Sequence, residues 1–206
     1  MSFGLADELF LMSHDLQTGK ALAGEPALGT GLAAGLLAEL ILGGALSVHE
    51  GLVGLGPYGP PADQLSQLLW EETRGRVSAG LTVSDWLANR IGDAHDLVAE
   101  RLVRAGDLRR ETVRRLGRTS VRLLPLRPAD AFIRSQRVPS YLRNRVEVTE
   151  ADVVVARLAQ LVAPHGLELD DVGRDYLQQL LPALQGPLRE VLAAVESRHG
   201  RRGGGH

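Results

Sequence analysis

The segment between residues 109 and 122 holds the residues with the clearest capacity to bind a ligand, six arginines. They are Arg109, Arg110, Arg114, Arg115, Arg118 and Arg122. A guanidinium group is a planar, permanently charged donor that suits phosphate oxygens. Because a hairpin can present such side chains together, they would form a surface for anionic headgroups, where each basic residue contributes about 1 kcal/mol. We therefore predict an anion-binding surface at these six positions.

The net charge of −2 conceals a strong segregation of charge along the chain. Residues 1–100 carry 4 basic and 13 acidic side chains, residues 101–145 carry 13 and 3, and residues 146–206 carry 6 and 9. Such asymmetry favours an anionic partner for the middle segment. The alternative is that these arginines pair with the acidic N-terminal half inside the fold, and the sequence leaves both interpretations open.

The remaining polar residues do not form a catalytic or metal-binding pattern. The chain contains no cysteine, which excludes disulfides and thiol ligands. The six histidines stand at positions 14, 49, 95, 165, 199 and 206, and no two have metal-ligand spacing on one helix face. His95 with Asp93 and Asp96 is the one acid–base cluster, and a solvent-facing helix start explains it. We expect no metal, no cofactor and no catalytic residue, hence a non-enzymatic protein.

An apolar stretch over about residues 27–43 is the element that must organise the fold. Its first sixteen residues carry one charge, Glu39, and are apolar on every side. A helix of this kind is either buried or spans a membrane, and a span needs about 20 apolar residues. Because the stretch is shorter than that, we predict a mostly α-helical domain with a buried central helix ringed by amphipathic helices.

Two short β-hairpins are predicted beside the helices. Short apolar pieces broken by glycine indicate the first at about 45–55, where an irregular loop is the alternative, and basic residues without helical periodicity indicate the second at about 108–126. All these elements are expected to form a single domain over residues 1–199. The glycine-rich end over 200–206 is predicted to be a disordered tail.

Several residues predict where helices begin or break. Asp93, Thr149 and either Thr82 or Ser84 are suited to cap helix starts, and Thr149 is followed by Asp152 in the spacing of a capping box. The helix predicted over 129–143 is expected to be interrupted near Pro139, because proline removes a backbone donor.

Four pieces of the chain, in this order and spacing, are similar to a known family. They are Leu5-Ala6-Asp7-Glu8-Leu9-Phe10-Leu11, Leu36-Leu37-Ala38-Glu39-Leu40-Ile41-Leu42-Gly43, Ser84-Asp85-Trp86-Leu87 and the run from Glu100 to Glu111. The chain resembles bacterial, actinobacterial-type members of the Golgi phosphoprotein 3 family. The resemblance implies a helical peripheral membrane protein. In eukaryotic members it also implies phosphatidylinositol 4-phosphate as the ligand and an adaptor role.

The resemblance further implies the positions of a phosphate pocket. The family's Trp position falls at Ala23 or Gly24, its central-helix Arg position at Ala33, and two later basic positions near Gly92 and His95, with Arg90 close by. Arg90 and His95 carry the basic side chains among these positions. They are therefore the predicted lipid-pocket residues.

A nucleic-acid-binding module is the alternative interpretation. Two helices over 84–105 followed by a basic hairpin have the order of a winged helix, and the hairpin arginines would contact phosphates. The helix that would enter the groove, however, begins with Asp93 and Asp96, and the whole chain is acidic. We thus expect anionic membrane headgroups as partners, with a protein client and a second copy of the chain as further candidates, rather than nucleic acid. The expected location is the cytoplasm, including the inner face of the plasma membrane.

Overall fold

The computed structural model describes the backbone of residues 4–115 and 118–203 and the side chains of residues 4–113 and 121–199. Within these ranges the chain forms nine α-helices and two antiparallel strand pairs. The helices are α1 (Leu5–Met12), α2 (Glu25–Leu42), α3 (Gln64–Val77), α4 (Val83–Arg90), α5 (Ala94–Arg104), α6 (Pro128–Arg143), α7 (Glu150–Val162), α8 (Asp171–Leu180) and α9 (Gly186–Gly203). The strands are β1 (Leu46–His49), β2 (Leu52–Leu55), β3 (Leu108–Arg115) and β4 (Arg118–Pro125).

Helix α2 lies at the centre of the fold, as the sequence predicted. It packs against α1, α5, α7 and α9, and the side chains of Leu32, Leu36 and Leu37 are almost fully buried. Among the described residues, α2 is the one helix long and apolar enough to cross a membrane, and 72% of it is buried inside the protein. Burial on all sides is what an all-round apolar helix requires, so α2 fits a core helix.

The surrounding helices begin largely where their capping residues predict. The Thr82 hydroxyl accepts a hydrogen bond from the Asp85 backbone N–H, and Thr149 and Asp152 form the predicted capping box. Asp93 precedes α5, but its side chain makes no capping bond because it pairs with Arg90 instead. The prediction of a side-chain cap at Asp93 is therefore wrong.

Helix α6 continues through Pro139 without the predicted interruption. Pro139 lies on the buried side of the helix together with Val138 and Leu142, which are fully buried. A proline inside a helix removes one backbone hydrogen bond. Here the burial of the apolar face of α6 offsets that loss and keeps the helix continuous.

Both predicted hairpins are present. In the first, Leu46 pairs with Leu55, and the connecting Glu50 and Gly51 both have positive φ angles of 51° and 76°. Two such residues twist the loop in the sense that a two-residue hairpin prefers. In the second hairpin, Leu108 pairs with Pro125 at the end that joins the helices.

The C-terminal helix α9 runs to Gly203 and therefore includes part of the segment that was predicted to be a disordered tail. Residues 204–206 of that segment lie outside the described residues.

Candidate lipid-binding site

The hairpin formed by β3 and β4 has two faces with different surroundings. Residues paired across an antiparallel ladder share a face, and successive residues alternate between faces. The pairs Arg109–Leu124 and Glu111–Arg122 therefore lie on one face, and the pair Arg110–Leu123 lies on the other. Because Leu123 packs against the hydrophobic core, the face with Arg109 and Arg122 is turned away from the core.

The predicted hairpin arginines consequently differ in their partners. Arg110 donates to Glu100 of α5 at 2.5 Å, and this contact holds the pKa of the Glu100 carboxyl below its usual value. The side chain of Arg109 is 57% exposed and lies 3.4 Å from Glu111. The structure thus separates Arg110 from Arg109 and Arg122. The side chains of Arg114, Arg115 and Arg118 lie outside the described part of the chain.

The hairpin leads directly into a run of exposed apolar side chains. Val121 is 61% exposed, Leu126 51%, Phe132 60% and Ile133 68%. We call this stretch the 121–133 segment; it comprises the described part of β4, the connection to α6 and the first turns of α6. Val121 pairs with Thr112 and so lies on the hairpin face of Arg110 and Leu123. Exposed apolar side chains that form one contiguous patch mark an interaction surface, and Phe132 and Ile133 are adjacent in α6.

Arginines lie between these apolar residues. Arg122 is partly exposed on β4, and the side chain of Arg127 is 63% exposed just before α6. Among the residues whose side chains the structure describes, the carboxylates near Arg127 lie at long distances, 3.7 Å for Asp107 and 3.5 Å for Asp130. Contacts of this length hold a largely exposed guanidinium group weakly, so it is available to another anion.

The later arginines of α6 instead face the protein. Arg134 donates to Asp107 at 3.0 Å, and Arg137 contacts Glu8 at 2.7 Å and Asp152 at 2.5 Å. Burial works against the charge of Arg137, but its bonds to Asp152 and Glu8 outweigh that effect and raise its pKa. As a result, the guanidinium groups of Arg134 and Arg137 contact carboxylates of the protein, whereas the side chains of Phe132 and Ile133 are exposed.

A second ion cluster joins three helices. Arg101 of α5 donates to Asp7 of α1 at 2.8 Å and to both oxygens of Glu39 on α2 at 2.7 and 2.9 Å. Burial raises the pKa of the Asp7 carboxyl to about 6, against the opposing effect of Arg101. Part of the arginine excess in residues 101–145 is thus neutralised by N-terminal acids, as the alternative interpretation of the charge segregation expected, while Arg109 and Arg127 stay largely exposed.

A cavity of about 950 Å³ opens beside this cluster, between α2, α3, α5 and α6. Its charged lining consists of Arg101, Arg104, Arg127, Arg134, Asp7, Glu39, Asp63 and Asp107. Four arginines face four carboxylates there, so the cavity offers an anion no net attraction. It is therefore a weaker candidate for an anionic headgroup than the exposed 121–133 segment.

The predicted pocket residues Arg90 and His95 do not share their contacts within the protein. Arg90, at the end of α4, is only 17% exposed in its side chain and pairs with Glu72 of α3 and with Asp93. Two carboxylates around one guanidinium group leave little positive charge for a phosphate. Arg90 is thus neutralised within the protein.

His95 contacts a second histidine, His14, which sequence reasoning did not place in the site. Its Nε2 atom lies 3.3 Å from Nε2 of His14, and its Nδ1 atom lies 3.2 Å from the Asp96 carboxylate. The His14 ring stacks on Phe10 with centroids 4.0 Å apart, and its Nδ1–H donates to the Phe10 carbonyl oxygen at 2.8 Å. Burial lowers the pKa of His14 to about 4. Among the described residues, no group of three or more His, Cys, Asp or Glu side chains could hold a metal ion.

The comparison with known families decides the assignment. The family model described as Golgi phosphoprotein 3 (GPP34) matches residues 5–197, which is nearly the whole chain. The chain belongs to the Golgi phosphoprotein 3 family. The resemblance carried by the four sequence pieces is thereby confirmed. No curated protein matches the chain.

For this Golgi phosphoprotein 3 family member, the positions implied for a phosphate pocket do not form a cationic site. Ala33, the position that the resemblance implied for the central-helix Arg, is fully buried, and Arg90 is engaged by two carboxylates. His95 is the remaining basic residue, and its partner is His14. At the positions that the resemblance implied, Arg90 and His95 are therefore both engaged by groups of the protein itself.

Sequence reasoning missed three residues that matter for the sites described above. Phe132 and Ile133 are adjacent apolar residues in a helix whose other apolar residues are largely buried, and their exposure depends on how α6 packs. His14 lies 81 residues before His95, and only the packing of α1 and α5 brings them together. A helical wheel of α6 could have flagged Ile133, whereas nothing local signals the histidine pair.

Proposed function

We propose that this protein is a peripheral membrane protein that binds anionic phospholipid through the 121–133 segment and Arg109. The observation that carries the proposal is the exposure of Phe132 and Ile133, at 60% and 68%, in a segment that also holds the exposed Arg127. Apolar side chains flanked by arginines are the composition of surfaces that lie in a membrane interface. In this assignment the protein acts without catalysis and rests on the membrane without crossing it.

The two kinds of side chain would contribute in different ways. Arg109, Arg122 and Arg127 attract anionic headgroups, each by about 1 kcal/mol near the surface, and salt weakens this attraction. Phe132 and Ile133 gain free energy by leaving water for the acyl boundary, by roughly 1.5–3 kcal/mol each for a fully transferred side chain. Together they support reversible binding that depends on both charge and insertion.

The internal pairing of Arg90 favours a surface over a closed phosphoinositide pocket. Specific recognition of a phosphate monoester relies on several charge-assisted donors that converge on one group. Arg90 is neutralised by Glu72 and Asp93, and the cavity beside Arg101 has balanced charges. We therefore expect the protein to prefer anionic lipids as a class, with no strong preference for phosphatidylinositol 4-phosphate.

Flotation of the full chain with lipid vesicles tests this proposal. The vesicles are phosphatidylcholine alone, or phosphatidylcholine mixed with phosphatidylglycerol, cardiolipin or phosphatidylinositol 4-phosphate, at low and high salt. We expect co-flotation with all anionic vesicles at low salt, reduced co-flotation at high salt and none with neutral vesicles. Absence of binding to every anionic vesicle would reject the proposal, and binding to phosphoinositide vesicles alone would reject the surface in favour of a specific pocket.

Matched variants test which residues form the surface. The triple change Arg109→Ser, Arg122→Ser and Arg127→Ser should reduce binding at low salt at least tenfold, while Arg189→Ser on the exposed side of α9 should leave it unchanged. The double change Phe132→Ser and Ile133→Ser should weaken the binding that persists at high salt. Leu52→Ser serves as its control, because Leu52 is 48% exposed at the other hairpin. Equal flotation of the test and control variants would show that the surface lies elsewhere.

Two further outcomes would point to other partners for the same residues. Salt-sensitive retention on random duplex DNA, without vesicle binding, would favour the winged-helix interpretation of α4, α5 and the hairpin. Light scattering that shows a dimer, lost on changing Phe132 and Ile133 to serine, would instead assign the apolar residues to contact between copies of the chain.

A further inference from the structure

We propose that His14 and His95 form a binding site for a divalent transition-metal ion, with the two Nε2 atoms as ligands. This inference does not depend on the proposed lipid binding, because none of its residues belongs to the 121–133 segment. Neutral imidazole nitrogen is a preferred ligand of zinc, copper and nickel. Three features of the pair support a metal site: the distance between the two Nε2 atoms, the partners of the two Nδ1 atoms, and the number of protons that the two rings carry.

The separation of the two nitrogens suits a shared ion. The Nε2 atoms of His14 and His95 lie 3.3 Å apart. Zinc binds histidine nitrogen at about 2.0–2.1 Å, so an ion held by both atoms would see them at an angle of about 107°, which is close to tetrahedral. The rings would therefore need little rearrangement to bind one ion.

The opposite ring nitrogens already have the contacts that metal-binding histidines usually make. A ligating histidine typically donates its other N–H to a carboxylate or a backbone carbonyl. His14 donates Nδ1–H to the Phe10 carbonyl at 2.8 Å, and Nδ1 of His95 lies 3.2 Å from the Asp96 carboxylate. Stacking of His14 on Phe10, with 17° between the ring planes, further fixes the direction of its Nε2 atom.

The count of protons favours a cation between the rings. A neutral imidazole carries one N–H. His14 uses its own on Phe10, so its Nε2 atom is an acceptor. His95 then has two acceptors to satisfy, Nε2 of His14 and the carboxylate of Asp96, and in its neutral form it can donate to only one. A metal ion between the two Nε2 atoms allows the single proton of neutral His95 to sit on its Nδ1 atom, where it is donated to Asp96. Each ring then carries Nδ1–H, both Nε2 lone pairs face the ion, and no proton is released.

The pair reaches solvent through His95. His14 is buried, whereas the side chain of His95 is 36% exposed. Two protein ligands leave coordination positions for water or for an anionic oxygen, as catalytic and transport sites do but closed structural sites do not. We therefore expect a reversible site.

Calorimetric titration of the untagged full chain with ZnCl₂, in a buffer that does not bind zinc, tests the proposal. We expect one ion per chain in the wild type, loss of this binding in His95→Ala, and unchanged binding in His49→Ala and His165→Ala, which remove exposed histidines outside the pair. No binding by the wild type, or equal binding by His95→Ala, would overturn the site. Loss of binding in His49→Ala or His165→Ala would assign the zinc to surface histidines and overturn it as well.

A second variant keeps the test independent of folding. Asp96→Asn retains the shape of an exposed side chain but weakens its hold on His95, and loss of such a partner typically lowers metal affinity by about 10–100-fold. Co²⁺ titration provides the spectroscopic signature, since nitrogen ligation at a near-tetrahedral site gives visible absorption bands. Unchanged zinc affinity in Asp96→Asn, together with no visible band for Co²⁺ in the wild type, would reject metal binding by the pair.

Discussion

Arg101 and Glu39 form a two-pronged salt bridge in the contact between α5 and α2, with N–O distances of 2.7 and 2.9 Å. Glu39 also accepts a hydrogen bond from the backbone N–H of Ala6 at 2.7 Å. The single carboxylate in the second half of the buried helix α2 thus has a partner on α5 and another on α1. The Glu39 carboxylate is therefore paired within the protein interior, where a charge without a partner would be strongly destabilising.

Replacement of Arg101 by methionine should strongly destabilise the protein. The change keeps the apolar volume but leaves the carboxylates of Asp7 and Glu39 buried without their cation, which typically costs about 3–5 kcal/mol. Urea unfolding followed by circular dichroism measures the effect. Arg104→Met is the matched control on the same helix, because the Arg104 side chain is 58% exposed and its loss should change the free energy of unfolding by less than about 0.5 kcal/mol. Equal midpoints for the two variants would contradict this account.

Asp7 should give the unfolding free energy a specific dependence on pH. Its pKa is about 6 in the folded protein against 3.8 for an aspartate in water, so the folded state binds more protons between these pH values. The contribution of Asp7 to stability is therefore present at low pH and is lost as pH rises from about 4 to above 6, by up to about 3 kcal/mol. Unfolding curves with EDTA at several pH values should show that the wild type loses stability relative to Asp7→Asn over this window. A constant difference between the two proteins would refute the prediction.

Two glycines should respond to alanine in opposite ways. A Cβ atom at Gly29 in α2 would lie 2.1 Å from the carbonyl oxygen of Ile91, so Gly29→Ala should cost about 1–3 kcal/mol through overpacking. A Cβ atom at Gly75 in α3 would meet no atom within 4 Å, so Gly75→Ala should stabilise the protein by up to about 1 kcal/mol through helix propensity. Thermal unfolding of both variants distinguishes them, and a stabilising Gly29→Ala would show that α2 and the Ile91 backbone do not touch.

The capping box at the start of α7 should contribute measurably to the free energy of unfolding. The Thr149 hydroxyl accepts from the Asp152 N–H at 3.2 Å, and the Thr149 N–H donates to the Asp152 carboxylate at 2.9 Å. Thr149→Ala should therefore lower the free energy of unfolding by about 1 kcal/mol, whereas Thr149→Ser should retain most of it. If both variants unfold at the wild-type midpoint, the cap does not support α7.

The parts of the fold that sequence reasoning predicted correctly are those with local causes. An all-round apolar composition identified α2, and the spacing of Thr149 and Asp152 identified the start of α7. The first hairpin followed from short apolar pieces separated by the turn at Glu50 and Gly51. In each case the residues that decide the structure are close neighbours along the chain.

The features that the sequence did not predict depend on residues that are distant in the chain or compete for one group. Asp93 was suited to cap α5, but Arg90 takes its carboxylate. Pro139 was expected to break α6, but the buried face of that helix keeps it intact. His14 and His95 meet only because α1 and α5 both pack on α2. Local propensity does not decide between competing partners such as those of Asp93, and it contains no information on contacts between distant residues such as His14 and His95.

The central position of α2 also imposes a requirement on synthesis of the chain. Helix α2 ends at Leu42, whereas α9, which covers part of it, begins at Gly186. At about 5–20 residues per second, a ribosome needs roughly 7 to 30 s to make the residues between them. During that interval α2, which has the length and composition of a membrane span, lacks one of the helices that bury it in the folded protein. The native burial of α2 is therefore completed only when the last helix of the chain has been made.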